Sequence, residues 1–224
     1  MSNERLSIDI WSDVMCPWCY LGDTMLDQAL QEFEHGDQVD VKYHSYQLMP
    51  ELAPETDMNL NEMLVTERGY PREQAEAMNA EIAKRGDAIG LEFRFDRAVA
   101  ANTRAAHRLL HFADEHGRQH ELVIRLFKAF FTDGLKVGNH EVLADLAAEV
   151  GLDRDAALAA LNSEQYEDAV TADIDLARQY GINGVPFFVI DGKYAISGAQ
   201  PTETFRQALD TVWRERSVGE ATQA

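Results

Sequence analysis

The sequence is poor in cysteine and in basic residues. It contains two cysteines among 224 residues, too few for a framework of several disulfides or for a zinc site made of four cysteines. Lys and Arg number 20 against 39 Asp and Glu, which gives a formal net charge of −19. A chain this acidic is not suited to nucleic acid or to an anionic membrane surface, and we expect neither as a partner.

The sequence also lacks long apolar runs. No stretch approaches the ~20 residues that a transmembrane helix needs, and the segment from Met1 to Arg5 carries no basic cluster. Asp9 and Asp13 interrupt the apolar residues that follow, which is not typical of a secretory signal peptide. We therefore expect a cytoplasmic protein, and in that compartment an isolated pair of cysteines is more often catalytic than structural.

The two cysteines lie where a predicted strand gives way to a predicted helix. Residues 6–11 alternate as in a strand, and residues 22–33 carry apolar side chains at helical spacing. Cys16 is thus predicted at the start of the helix, with Pro17 in the first turn. Thiols at helix N-termini are acidified, to pKa values of roughly 3.5–7.5, and the thiolate is the nucleophile. We therefore expect Cys16 to be the reactive thiol.

Cys19 follows Cys16 by three residues, on the same helical face and close enough for a disulfide between them. This spacing predicts a redox-active pair in which Cys16 forms a mixed disulfide with a partner and Cys19 resolves it. Two alternatives fit less well. A zinc site lacks a second cysteine pair, and two inert, buried cysteines would not need a proline between them. We expect neither a metal nor a cofactor.

The remaining periodicity predicts an α/β fold. A second strand is expected over residues 39–48, which makes a βαβ unit with the first strand and helix. Residues 60–180 show almost entirely helical periodicity. Two strands joined by the two-residue turn Asp191-Gly192 are expected within residues 185–197, followed by a last helix. The two ends can form one mixed sheet, with the helical block as an insertion.

Pro186 stands at the start of the first of these late strands. Proline is tolerated at the first residue of a strand, and its presence requires no further explanation. The alternative is a cis-proline that faces the cysteine pair, which would leave the backbone groups of Val185 available to a bound peptide strand.

Phe127, Phe130 and Phe131 share one face of a predicted helix. We interpret them as core packing between helices of the block. The alternative is that they line a groove near Cys16 that holds an extended peptide.

Four parts of the sequence carry a family resemblance: residues 12–22 around Cys16-Pro17-Trp18-Cys19, residues 102–109, residues 130–134, and residues 184–189 with 197–201. They resemble the DsbA family, and within it the FrnE-like subgroup. The resemblance implies a thioredoxin fold (βαβ…ββα) with an all-helical insertion domain, and thiol–disulfide oxidoreductase activity on proteins. It assigns attack to Cys16, resolution to Cys19 and the cis-proline role to Pro186. We expect Trp18, Val185 and Pro186 to bind the substrate.

On this resemblance we expect a thioredoxin-like domain from residues 1–55 and 182–216, a helical insertion domain from residues 56–181, and a flexible tail from residues 217–224. The expected partners are protein thiols and disulfides, with glutathione or a thioredoxin-like protein as the electron partner. A role in tolerance to oxidative stress is a further expectation.

Two other functions stay open at this point. One is a glutathione-dependent enzyme similar to kappa-type transferases or 2-hydroxychromene-2-carboxylate isomerases, which share the fold plan. The other is a redox-sensing module that binds proteins without catalysis. A second cysteine three residues after the first is not expected for the glutathione chemistry, and so it favours disulfide exchange.

Overall fold

The computed structural model describes residues 5–223, with side chains described through residue 217. Four strands form one sheet in the order β2-β1-β3-β4: β1 (Leu6–Ser12), β2 (Val39–Ser45), β3 (Phe187–Ile190) and β4 (Tyr194–Ser197). β1 is parallel to β2 and antiparallel to β3, and β3 is antiparallel to β4. The sheet is therefore mixed, as the sequence predicted, and it joins the two ends of the chain.

Helices fill the rest of the chain. A 3₁₀ turn (Gly36–Gln38) precedes β2, and a π-helical turn (Ala129–Asp133) continues α5. The α-helices are α1 (Pro17–Glu32), α2 (Leu60–Thr66), α3 (Arg72–Asp87), α4 (Arg104–Glu115), α5 (Gln119–Lys128), α6 (His140–Glu149), α7 (Arg154–Leu161), α8 (Glu167–Gln179) and α9 (Thr202–Gln223). Within the described residues, none of these helices is both long and apolar enough to cross a membrane.

Three boundaries differ from the sequence prediction. β2 ends at Ser45, because the backbone N–H of Leu48 donates to the Asp13 carboxylate (2.7 Å) instead of continuing the ladder. β3 begins at Phe187, after the cis peptide bond between Val185 and Pro186.

The predicted two-residue hairpin turn is the third difference, and here the prediction was wrong. Ile190 pairs with Tyr194, so three residues connect β3 and β4. Asp191 and Gly192 both have positive φ, which suits glycine and tolerates aspartate. Lys193 is the third connecting residue, and its N–H donates to the Ile190 carbonyl oxygen (3.0 Å).

The two ends of the chain share a core on one face of the sheet. Ile8, Ile10, Phe188 and Ile190 are fully buried there, and α1 packs against α9. Each such side chain stabilises the fold by roughly 1.5–3 kcal/mol when it is fully buried. The rings of Phe188 and Phe205, on α9, meet edge to face with centroids 4.8 Å apart.

The helical block packs on α1 through an aromatic cluster. Phe127, Phe130 and Phe131 are fully buried, and Tyr20 of α1 stacks on Phe127 with ring centroids 5.1 Å apart. This confirms the interpretation of the three phenylalanines as core.

The proposed domain boundaries stay a prediction. The segment from residue 217 continues as helix to Gln223. The side chains beyond residue 217 lie outside the described part of the chain. Residues 1–4 and 224 lie outside it as well.

Candidate active site

Cys16 occupies the N-cap of α1, as the sequence predicted. Its backbone is extended (φ −91°, ψ 111°), its carbonyl accepts the first hydrogen bonds of the helix, and Pro17 fills the first helical position. No side chain caps this end of the helix. Cys16 therefore lies at the end of α1 that carries the unpaired backbone N–H groups and the positive end of the helix dipole.

The cis peptide bond between Val185 and Pro186 lies beside Cys16. The Cys16 thiol donates to the Val185 carbonyl oxygen over 3.5 Å. Gly22, six residues after Cys16 on α1, makes this approach possible, because a Cβ there would lie 3.1 Å from Pro186 Cγ and 3.2 Å from the Phe188 ring. The structure thus brings Cys16, Val185 and Pro186 together across 169 residues of chain.

Cys19 lies beneath Cys16 and is 1% exposed. Burial raises the pKa of the Cys19 thiol well above its usual value, and the neighbouring Cys16 raises it further, whereas a hydrogen bond with Ser12 lowers it. Both cysteines are free thiols in this structure. Cys16 is itself only 3% exposed, but it lines the groove described next, whereas Cys19 does not.

An apolar groove of about 250 Å³ adjoins Cys16. Its walls come from the start of α1, the loop after β2, helices α2 and α3, and the segment before β3, including Met15, Trp18, Met49, Met63, Met78 and Val185. Methionine side chains are flexible and polarisable, which suits a surface that accepts varied apolar partners. Sequence analysis offered a groove near Cys16 as an alternative but lined it with the three phenylalanines, which do not line it. The methionines that do line it, including Met78 (37% exposed), were not singled out from the sequence.

Trp18 is one of the residues that line this groove. Its side chain is half-buried against the core, and the guanidinium carbon of Arg85 lies 5.2 Å from the ring centroid. Arg68 is the charged residue of the groove wall, and its guanidinium donates to the Leu48 carbonyl oxygen (2.8 Å). A ligand in the groove therefore meets an apolar floor with positive charge at its edge.

Buried polar groups lie behind the cysteines, and sequence analysis missed these too. The Asp13 carboxylate is fully buried and accepts the backbone N–H groups of Met15 (3.3 Å) and Leu48 (2.7 Å). His107, in α4, is 2% exposed, and its Nε2 lies 3.6 Å from Asp13 Oδ1. His107 falls within the stretch 102–109, for which the resemblance supplied no residue roles.

One group of side chains has the composition of a cation site. Asp23 and Asp27 of α1 and His120 of α5 place ligand atoms within 4.8 Å of one another. These atoms already interact with the protein: the Tyr43 hydroxyl donates to Asp23 Oδ1 (2.5 Å), and His120 Nε2 lies 3.1 Å from Asp27 Oδ1. Burial, with the Asp27 charge, raises the pKa of Asp23 to about 7.

Comparison with known proteins places nearly the whole chain in one family. A family model described as a DSBA-like thioredoxin domain matches residues 7–210. The chain is 29% identical over 204 residues to the uncharacterized protein YwbO of Bacillus subtilis, with 90% of this chain and 94% of that protein covered.

Solved structures agree with this placement. A probable DsbA oxidoreductase from Streptomyces coelicolor is 39% identical, with a TM-score of 0.88 over 94% of this chain and 91% of that chain. The cytosolic disulfide reductase DsbM of Pseudomonas aeruginosa, solved with GSH, is 20% identical, with a TM-score of 0.67 over 93% of this chain and 99% of that one. At 20% identity the likeness concerns the fold alone.

Proposed function

The chain belongs to the family of DSBA-like thioredoxin domains, and from the geometry of its two cysteines we propose that it exchanges thiols and disulfides with client proteins. The contact between the Cys16 sulfur and the Val185 carbonyl oxygen, at the helix N-terminus and at the wall of the apolar groove, carries this proposal. A nucleophilic sulfur, a backbone edge and an apolar surface meet there.

The proposed reaction proceeds in two steps. The Cys16 thiolate attacks one sulfur of a client disulfide, so that a bond forms between Cys16 and that sulfur and the other client sulfur leaves as a thiolate. Cys19, deprotonated, then attacks the Cys16 sulfur and releases the second client thiolate. The client gains two electrons and the Cys16–Cys19 pair loses two. The same steps in reverse oxidise a client dithiol.

Client binding is proposed for the residues around the sulfur. Val185, which precedes the β3 ladder, offers backbone groups to an extended client segment, and Pro186 shapes this edge. Trp18 and the methionine-lined groove then bind apolar side chains next to the client cysteine. This predicts a preference for clients whose cysteines have apolar neighbours.

We further propose a cytoplasmic location and glutathione or a thioredoxin-like protein as the electron partner. The structural neighbour DsbM, a cytosolic disulfide reductase whose structure was solved with GSH, supports both proposals. Cell fractionation with an antibody to the chain tests the location. Survival of a deletion strain under disulfide stress tests the role in oxidant tolerance, and unchanged survival would count against it.

Trapping of clients tests the central proposal. Cys19→Ser removes the resolving thiol, so mixed disulfides between Cys16 and client proteins should accumulate and disappear on reduction. Cys16→Ser is the matched control and should trap no clients. If the Cys19→Ser variant traps nothing and keeps full glutathione-dependent turnover of small electrophiles, the glutathione enzyme is the correct assignment instead. If it neither traps clients nor turns over glutathione, the protein is a binding module.

A further inference from the structure

His107 is a buried histidine that the reaction described above does not use. It lies on α4 with 2% of its surface exposed, and neither ring nitrogen has a hydrogen-bond partner among the described residues. Buried polar side-chain atoms nearly always have such a partner, in the protein or in an ordered water. An imidazole held this way is available to bind water and to exchange a proton.

A cavity of about 10 Å³ lies beside His107, close to the smallest space that holds one water molecule. Ser12, Ser45 and His107 are among the polar residues that line it, together with the aromatic ring of Phe127 and other apolar side chains. The Ser12 side chain is also near enough to the Cys19 thiol to lower its pKa. Ser12 therefore neighbours Cys19 and also lines the cavity that His107 lines.

The chemistry of the second step needs a base at this place. Cys19 attacks as a thiolate, yet burial raises the pKa of its thiol well above the usual value. The Asp13 carboxylate, 3.6 Å from His107 Nε2, would stabilise a positive charge on the imidazole. The site thus holds the buried Cys19 thiol, which must lose a proton. It also holds the buried His107 imidazole, which has a carboxylate beside it.

We propose that His107 accepts the proton of Cys19 through the Ser12 hydroxyl and one water molecule in this cavity. In the resolving step the Cys19 proton moves to Ser12 as the hydroxyl proton moves to the water, and a water proton moves to His107. The Cys19 thiolate then attacks Cys16, the bond from Cys16 to the client breaks, and the client leaves as a thiolate. When the Cys16–Cys19 disulfide is reduced, His107 returns the proton to Cys19.

Other titratable groups around the cavity are already engaged. His44 and His111 line it, but both contact the Asp173 carboxylate, at 2.7 Å and 3.0 Å. Tyr43 also lines it, and its hydroxyl donates to Asp23. The titratable groups in contact with the cavity-lining residues, or next to those contacts, are Asp9, Asp13, Asp23, Asp27, Asp173 and His120. His107 is thus the cavity histidine whose ring nitrogens are without a hydrogen bond within the described structure.

A single-turnover reaction separates the two thiols. The reduced protein is mixed with one equivalent of an aromatic disulfide that releases a coloured nitrothiobenzoate. A first release reports attack by Cys16, and a second, unimolecular release reports attack by Cys19. The second rate is measured from pH 5 to pH 9 in the wild type and in His107→Gln, Ser12→Ala and His111→Gln. Cys19→Ser lacks the second thiol and therefore shows the first release alone. Alkylation of Cys16 in each variant, in the Cys19→Ser background, reports the environment of the first sulfur.

His107→Gln keeps a side chain that can hydrogen-bond to water but cannot take up a proton. We expect it to slow the second release about 100-fold at pH 7, which is the low end of what a positioned acid–base group contributes. Its rate should then rise about tenfold per pH unit, because hydroxide replaces the histidine. Ser12→Ala should show the same change, while His111→Gln and the alkylation of Cys16 should stay within about twofold of wild type.

The inference rests on the proposed function, and the experiment separates their failures. A wild type without a second release would overturn both. A normal second release in the wild type with a His107→Gln pH profile that superimposes on it would overturn the role of His107 alone. If His107→Gln slowed Cys16 alkylation as much as the second release, that role would also be overturned. The same holds if His111→Gln slowed the second release as much as His107→Gln does.

Discussion

His44 provides a prediction about stability that follows from its contacts. It lies on β2, 9% exposed, with Nδ1 2.7 Å from Asp173 and Nε2 2.8 Å from Asp9. Both ring nitrogens therefore face carboxylates, and the Trp11 ring stacks on the imidazole with centroids 4.5 Å apart. Burial disfavours the charged imidazole, but the two hydrogen bonds outweigh it and raise the pKa of His44 to about 9.

The protonated form of His44 holds β1, β2 and α8 together. A rise from the ordinary 6.5 to about 9 corresponds to about 3 kcal/mol of folding free energy, since one pKa unit is about 1.4 kcal/mol. Because the pKa is raised in the folded state, this contribution is fully present below pH 6.5. It is lost as the pH rises from 6.5 through 9, where the unfolded chain has already released the proton.

Urea unfolding of the wild type and of His44→Gln between pH 6 and pH 10 measures this contribution. The difference in unfolding free energy between the two should fall by about 3 kcal/mol over this range, with the change centred between pH 6.5 and 9. His116→Gln, at an exposed histidine, is the control, and a loss of the same size over this pH range in that variant would contradict the assignment. If the difference in unfolding free energy between wild type and His44→Gln stays constant with pH, protonated His44 does not stabilise the fold through Asp9 and Asp173.

Three further predictions concern other parts of the molecule. Asp23→Asn removes a buried carboxyl with a pKa of about 7, so this variant should gain stability relative to wild type as the pH rises from 4 to 7, measured by urea unfolding. Gly22→Ala places a Cβ 3.1 Å from Pro186 Cγ and should cost about 1–3 kcal/mol, measured by the same unfolding, with slower exchange at Cys16. Met78→Glu charges the groove and should weaken client trapping severalfold while small-disulfide exchange is kept; Ile124→Glu, equally exposed and outside the groove wall, should not.

Controls decide these three predictions. If the difference in unfolding free energy between Asp23→Asn and wild type does not change with pH, burial does not suppress the charge of the Asp23 carboxyl in the wild type. Gly184→Ala, where an added Cβ meets no atom within 4 Å, should leave stability unchanged, and an equal loss there would remove the steric explanation for Gly22. Equal loss of trapping in the Met78 and Ile124 variants would show that added charge, not the groove, is responsible.

Local patterns in the sequence predicted the elements of the fold and the position of Cys16. Strand alternation and helical spacing are properties of neighbouring residues, so β1, α1 and the late strands follow from them. The end of β2 did not, because it depends on the Asp13 carboxylate, which binds Leu48 N–H across 35 residues. Such competition between a side chain and the ladder is set by tertiary structure.

The groove and the buried histidine were also beyond sequence patterns. Met49, Met63 and Met78 come from a loop and two helices, and only the packing of the helical block on the sheet makes them one surface. His107 falls at a buried position of a strongly amphipathic helix, where a satisfied core histidine is the ordinary expectation. Its lack of hydrogen-bond partners among the described residues is visible only in three dimensions.

The reduction potential of the Cys16–Cys19 pair tests the central claim most directly. The protein is equilibrated in graded glutathione buffers, free thiols are alkylated, and the mass is read. We predict one reversible two-electron transition in which both thiols become protected together, with the equilibrium constant changing tenfold for each ~30 mV. Loss of the transition in Cys19→Ser would assign it to the pair. The absence of a disulfide between Cys16 and Cys19 at every glutathione ratio would contradict the account.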